Sequence, residues 1–311
     1  MTTPDALAGT DAMAAGAGSA AATADGAEPP PVPARIEAVQ RLRLHAPVFI
    51  SDLHLTSARP RTVERFLALL ARLAGQGGEL LILGDLFEIW AGDDLLGAAA
   101  PLEATAATDT AGGADDDAVG RAVAQALQRL AQAGTAVYIM HGNRDLLLGT
   151  RFLRDSGARL LADPCLAVIG ADDAAAPILL SHGDAYCTLD LPYQAFRRQA
   201  RDARVQESFL VRPLAERRAV LGQARLHSEA GKQRMAEQIM DVTPSAIDDA
   251  LRAAGVHGLL HGHTHRPARH DFNLDGRAAA RWVLPDWDLD GVPPRGGGLR
   301  WRDGALETFE A

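Results

Sequence analysis

Short apolar runs along the chain alternate with stretches in which apolar residues recur every three or four positions. Residues 48–50 (VFI), 80–83 (LLIL), 136–140 (AVYIM), 177–180 (PILL) and 256–260 (VHGLL) are too short for helices and read as buried strands. Residues 62–74 and 118–133 carry the helical period between them. Toward the C-terminus, residues 281–284 and 298–302 read as further strands. Buried strands separated by helices predict an α/β protein.

Two segments break this rhythm. Residues 1–34 are mostly Ala, Gly, Thr and Pro, with four acidic residues and no basic one. Such a stretch buries too little apolar surface to offset chain entropy, so a disordered tail is expected. A transit peptide is disfavoured because those are rich in arginine. Residues 97–117 contain five acidic residues and no basic one, and read as a mobile surface insertion. The rest, residues 35–311, is expected to form one domain.

Composition narrows the class. Of 311 residues, 47% are hydrophobic, which excludes wholesale disorder. No apolar run reaches the roughly 18–20 residues of a membrane-spanning helix, and nothing reads as a secretory signal. Cys165 and Cys187 lack metal-type pairing and read as buried thiols of a cytosolic protein. The net charge of −9 argues against a general nucleic-acid binder. It comes wholly from the tail and the insertion, so the remaining body is formally neutral. Within that body, residues 191–241 are helical in pattern and hold ten basic residues against six acidic ones. Phe196, Phe209, Leu210, Val211, Leu214, Val220, Leu221 and Leu226 supply its apolar positions. The segment reads either as a helical hairpin on the core or as a lid with an apolar interior and a cationic face.

The candidate chemistry follows the strands. Each of the five apolar runs leads at once into residues able to bind a metal: Ser51-Asp52-Leu53-His54, Gly84-Asp85, His141-Gly142-Asn143-Arg144-Asp145, His182-Gly183-Asp184 and His261-Gly262-His263-Thr264-His265. One Asp after a strand is commonly a cap or a turn former. Five such segments in series are hard to explain by packing. In α/β sheets, ligands bind beyond the carboxyl ends of the strands, so these residues should meet in one crevice. Asp52 and His54, spaced two apart on a segment read as extended, would share a face, and so would His263 and His265. Carboxylate, imidazole and amide oxygen without thiolate suit Mn²⁺, Fe²⁺ or Zn²⁺. There are enough donors for two ions, an arrangement that clamps a phosphoryl group.

This pattern, D-x-H, GD, GN-H/R-D, H and GHxH, resembles the calcineurin-like metallophosphoesterases from residue 48 to about 270. The resemblance implies a four-layer αββα sandwich with a helical lid. It implies Asp52, His54, Asp85 and His265 around one metal, and Asp85, Asn143, His182 and His263 around the other. Two Mn²⁺ ions are the expected cofactors. The runs Gly84-Asp85-Leu86-Phe87-Glu88, Gly92-Asp93-Asp94, Cys187-Thr188, Tyr193-Gln194-Ala195-Phe196-Arg197 and Ile239-Met240-Asp241-Val242 narrow the match. They resemble the subgroup that cleaves UDP-2,3-diacylglucosamine in lipid A biosynthesis. That likeness implies a nucleotide-linked diacylated glucosamine as substrate, water attack on its α-phosphorus, and a cytoplasmic protein in peripheral contact with the anionic inner-membrane surface. Asp85, Asn143 and Arg144 would be catalytic, and Asn143, Arg144, Asp190, Tyr193, Ser228, Lys232, Met235 and His263 would contact substrate. A lysine common in the subgroup is replaced here by Met235, with Lys232 or Arg234 as neighbouring substitutes. Arg144 stands where most of the family has His. A guanidinium cannot protonate an alkoxide, but a phosphate leaving group needs no proton and is held well by a bidentate cation. The alternatives are another phosphodiester or nucleotide hydrolase, and a metal-binding scaffold without activity.

Overall fold

The computed structural model describes residues 40–97, 113–170, 175–232 and 241–311. The expected tail, most of the acidic insertion and Met235 lie outside the described residues.

One six-stranded sheet is centred on three parallel strands, β2 (Pro47–Ile50), β3 (Glu79–Leu83) and β4 (Ala136–Met140). The strand β5 (Arg159–Leu161) extends it parallel to β4. A hairpin of β11 (Gly297–Arg302) and β12 (Ala305–Glu310) closes the other edge, antiparallel to β2. The second sheet runs β1 (Arg41–Leu44), β6 (Cys165–Ile169), β7 (Ile178–Leu180), β8 (Gly258–His261), β10 (Arg277–Val283) and β9 (Ala268–Leu274). All the strands read from the sequence are present, with bounds moved by a residue or a few.

The two-residue period of the strands sets the layers. Leu81 and Leu83 of β3 and Met140 of β4 face the second sheet, where they meet Cys165, Leu180 and Leu260. Their neighbours Leu80, Ile82, Val137 and Ile139 face outward onto α1 (Pro60–Leu73), α2 (Gly113–Gln132) and α3 (Thr150–Ser156). On the far side, Leu179 and Leu259 meet Ile247 and Leu251 of α7 (Pro244–Ala254). Helices, sheet, sheet and helix give the four-layer αββα sandwich. Proline in the first turn begins α1 and α7, where its missing N–H costs nothing. Gly255 ends α7 in the left-handed conformation, φ 69°, and donates its N–H to Leu251 and Arg252.

Two expectations are corrected here. Residues 113–117 of the presumed insertion are the first turn of α2, where acidic side chains favour the positive end of the helix dipole. Asp116 also accepts from Thr56 Oγ1 at 2.9 Å, and Asp117 pairs with Arg218. Secondly, the loops carrying Asp52, His54, His263 and His265 are not extended. Their φ values are 55°, 48°, 68° and 54°, and Asp85 has φ 53°. The five make up most of the seven non-glycine residues with positive φ among the described residues; Asp275 and Asp303 are the others. Each such conformation costs on the order of 1–3 kcal/mol and persists where the surroundings impose it.

The segment 191–232 forms α4 (Leu191–Ala200), α5 (Ala203–Leu210) and α6 (Leu214–Lys232). Phe209 plugs into the main core, whereas Leu191, Val211 and Leu226 are 72%, 83% and 65% exposed.

Candidate metal centre

The five strand ends converge because the two sheets pack with β2, β3, β4, β7 and β8 opening on one edge. Short bonds stitch them together. Asp52 N donates to Gly84 O at 3.1 Å, and Gly262 N donates to His182 O at 2.9 Å. Between the sheets, His182 Nδ1 lies 2.9 Å from Leu83 O, and His263 N donates to Asp52 Oδ2 at 2.8 Å. The glycines allow the approach. A Cβ on Gly142 would sit 2.0 Å from Asp85 Oδ1, and one on Gly262 would sit 2.2 Å from Asp52 Oδ2.

Two groups of donor atoms result. Asp52, His54 and His265 form the first, with their nearest ligand atoms within 4.8 Å of one another. His54 Nε2 and His265 Nε2 are 3.3 Å apart, and His265 Nε2 is 3.4 Å from Asp52 Oδ1. In the second, His182 Nε2 and His263 Nδ1 each stand 3.1 Å from Asn143 Oδ1. Asp85 Oδ2 lies between the groups, 3.7 Å from His54 Nε2 and 3.8 Å from His182 Nε2. Its Oδ1 accepts from Asn143 N at 2.8 Å and Arg144 N at 2.9 Å, which fixes the carboxylate. Asp52 and Asp85 also group with His182 within 4.8 Å.

These donors suit divalent cations. Asp52 Oδ1 is fully buried and makes no well-formed hydrogen bond; its nearest polar neighbour is His265 Nε2 at 3.4 Å, and a cation there would satisfy it. Burial works to raise the Asp52 carboxyl, but His265, His182 and His54 outweigh it and hold the group well below the usual range. Burial would lower His182, yet Asp85, Asp52, Asp184 and Asp163 pull it up to about 9. Imidazoles that gain a positive charge so readily are in a place built for one.

All seven metal-ligand candidates therefore fall in one centre. A cavity of about 140 Å³ opens over it, bounded by Asn143, Arg144, Glu88, Arg59, Asp286 and Arg295 among others. Arg144 reaches within 3.9 Å of Glu88. Tyr193 stacks on His263 at 5.9 Å between ring centres, and its hydroxyl donates to Asp184 Oδ2 at 2.8 Å. Asp190 caps α4, accepting from Tyr193 N at 3.0 Å. Ser228 and Lys232 lie on the last turns of α6, and their side chains are outside the described residues.

Residue-by-residue reading assigned no role to several neighbours of the centre. Glu88 packs against His54, and Asp286 stands 3.6 Å from His265 Nδ1. Asp286 shares the signal that found the others, a polar residue just after an apolar strand. Asp145 is a staple, accepting from Leu86 N at 2.7 Å and Gly142 N at 2.8 Å; burial raises its pKa. Asp184 holds α4 and the residue after it, 2.9 Å from Arg197 Nε and 3.4 Å from Arg201. On α6, Arg217 meets Asp94, Arg218 meets Asp117 and Arg225 Nε lies 2.9 Å from Glu88. Much of the cationic face thus turns inward onto the body. Cys165 and Cys187 are buried, as the sequence suggested, and Trp90 and Trp287 are core residues.

A buried pair of carboxylates, four imidazoles and one amide at the mouth of an αββα sandwich define a metal-dependent phosphoesterase. Residues 47–267 match the calcineurin-like phosphoesterase family, and the chain belongs to that family. It is 43% identical to the UDP-2,3-diacylglucosamine hydrolase of Bordetella pertussis over 274 residues, 88% of this chain and 98% of that one. The enzyme of the same name from Aromatoleum aromaticum is 46% identical over 258 residues, 83% of this chain and 93% of that one. That of Cellvibrio japonicus is 43% identical over 244 residues, 78% and 92%.

Proposed function

We propose that the chain hydrolyses the pyrophosphate bond of UDP-2,3-diacylglucosamine, releasing UMP and 2,3-diacylglucosamine 1-phosphate (lipid X) in lipid A biosynthesis. The observation that carries this reading is the joint one: five strand-end loops converge on a two-centre donor set in a chain 43–46% identical to hydrolases of that name. Asp52, His54, Asp85 and His265 would hold one cation, and Asp85, Asn143, His182 and His263 the other. Mn²⁺ is the ion proposed, with Fe²⁺ or Zn²⁺ as chemically similar substitutes. A divalent pair held there supplies Lewis acidity to phosphate oxygens and a nucleophile available at neutral pH.

The chain's own residues do the rest. The backbone N–H groups of Asn143 and Arg144 hold the Asp85 carboxylate between the two donor groups, where it would contribute to both. Arg144 would hold the phosphates bidentately and steady the departing anion. Tyr193, Asp190, Ser228, Lys232, Met235 and His263 are the proposed substrate contacts. Helices α4 to α6 would form the lid of a domain spanning residues 35–311. The exposed Leu191, Val211 and Leu226 support peripheral contact with the anionic cytoplasmic face of the inner membrane. No helix among the described residues is long and apolar enough to cross a membrane.

The test is release of UMP from UDP-2,3-diacylglucosamine by the purified protein with Mn²⁺, compared with soluble nucleotides and phosphodiesters. Preferred turnover of the acylated substrate is expected. No UMP, or equal rates on soluble nucleotides, would refute the proposal.

A further inference from the structure

We propose that Glu88 is a positioning residue that ties the seating of lid helix α6 to the orientation of His54. The inference rests on His54 being a metal ligand. Glu88 lies in the loop after β3, its side chain 7% exposed. Its two oxygens face different partners. Oε2 is 3.2 Å from His54 Nδ1, while Oε1 is 2.9 Å from Arg225 Nε on α6 and 3.9 Å from Arg144.

The backbone keeps this arrangement in place. Glu88 N donates to Leu55 O at 3.2 Å, and Leu55 N donates to Leu86 O at 3.0 Å. The loop bearing Glu88 is thereby stapled to the loop bearing His54, which keeps the carboxylate within reach of the imidazole.

The 3.2 Å charge contact on the Nδ1 side, short of hydrogen-bond geometry, favours this ring orientation and leaves Nε2 turned to the centre. In this structure Nε2 does face the centre, toward His265 and Asp85. Arg225 comes from the lid and Arg144 from the loop after β4, so three elements meet on one buried charge. Helix α6 seats fully only when Arg225 reaches a carboxylate that already orients His54 and lies beside Arg144. Substrate that displaces α6 is consequently felt at His54 through one side chain.

The test uses the full-length protein and Glu88→Gln, which keeps the shape and removes the charge. Two measurements read the two ends: calorimetric titration with Mn²⁺, and hydrogen–deuterium exchange over residues 214–232. Mn²⁺ affinity should fall about 10- to 100-fold, the usual effect of losing a partner behind a ligating histidine. Exchange in α6 should accelerate, and Glu88→Asp should restore part of both. Arg225→Gln should accelerate exchange in α6, and adding it to Glu88→Gln should accelerate it little further. Unchanged Mn²⁺ affinity or unchanged α6 exchange in Glu88→Gln would overturn the proposal. If Glu88→Gln does not fold, unchanged α6 exchange in Arg225→Gln would overturn it. His54→Ala separates the underlying reading: if that variant binds Mn²⁺ as the parent does, the metal centre itself is misassigned.

Discussion

Gly142→Ala adds one methyl group at the tightest point of the centre. Its Cβ would lie 2.0 Å from Asp85 Oδ1 and 2.3 Å from Asp85 N. Ordinary contact begins at 3.4 Å, so the Asp85 carboxylate or its backbone must retreat by about 1.4 Å. Side-chain flexibility cannot absorb this, because one of the crowded atoms is main chain. The retreat breaks the bonds from Asn143 N and Arg144 N, each to a charged acceptor and worth about 1.5–3 kcal/mol. It also moves the proposed bridging ligand. Displacements near 1 Å in a catalytic constellation cost about 100-fold in rate, or about 2.7 kcal/mol. We expect kcat for UMP release to fall at least about 100-fold, Mn²⁺ affinity to fall with it, and the melting temperature to drop. Gly222→Ala is the control. Gly222 lies within α6 with nothing in 4 Å of its added Cβ, so alanine there should be neutral or stabilise by up to about 1 kcal/mol. A Gly142→Ala enzyme with kcat within threefold of the parent would refute the view that glycine is kept here by close approach.

Four further outcomes are expected. Asp93 accepts from Trp90 Nε1 and from the backbone N–H groups of Gly149, Arg151 and Phe152, so Asp93→Ala should destabilise the fold by about 2–4 kcal/mol in a denaturant titration; less than 1 would count against its capping role. Asp184→Asn should loosen α4 from the body, seen as faster amide exchange over residues 191–200 and a raised KM, since it weakens the ties to Tyr193, Arg197 and Arg201. Arg144→His should impair pyrophosphate cleavage by at least about tenfold, and unchanged kinetics would remove the leaving-group argument. His182, raised to about 9 by its buried acidic neighbours, gives the metal-free protein stability that is complete below pH 6.5 and lost as pH rises through about 9. The melting temperature in EDTA should therefore fall from pH 6.5 to 9.5; a rise would contradict the assigned charge.

What the sequence determined is local. A short apolar strand followed within a few residues by Asp, His or Asn, often beside a Gly, was enough to find the seven ligand candidates, both sheets' central strands and the family. Asp286 obeys the same rule after β10. The partnerships are another matter. His263 and Asp52 are 211 residues apart, and their 2.8 Å bond depends on how two sheets stack. Periodicity placed Asp52, His54, His263 and His265 on extended backbone, but the packed loops force them into the left-handed region, a cost that only tertiary contacts can impose. Charge counting gave residues 191–241 a basic face without saying which way it turned. Buried acids at Glu88, Asp117 and Asp184 turn Arg225, Arg218, Arg197 and Arg201 inward, because opposite charges meet more strongly away from water, and Arg217 is buried against the exposed Asp94. The ligands belong to the sequence; the direction each charge faces belongs to the fold.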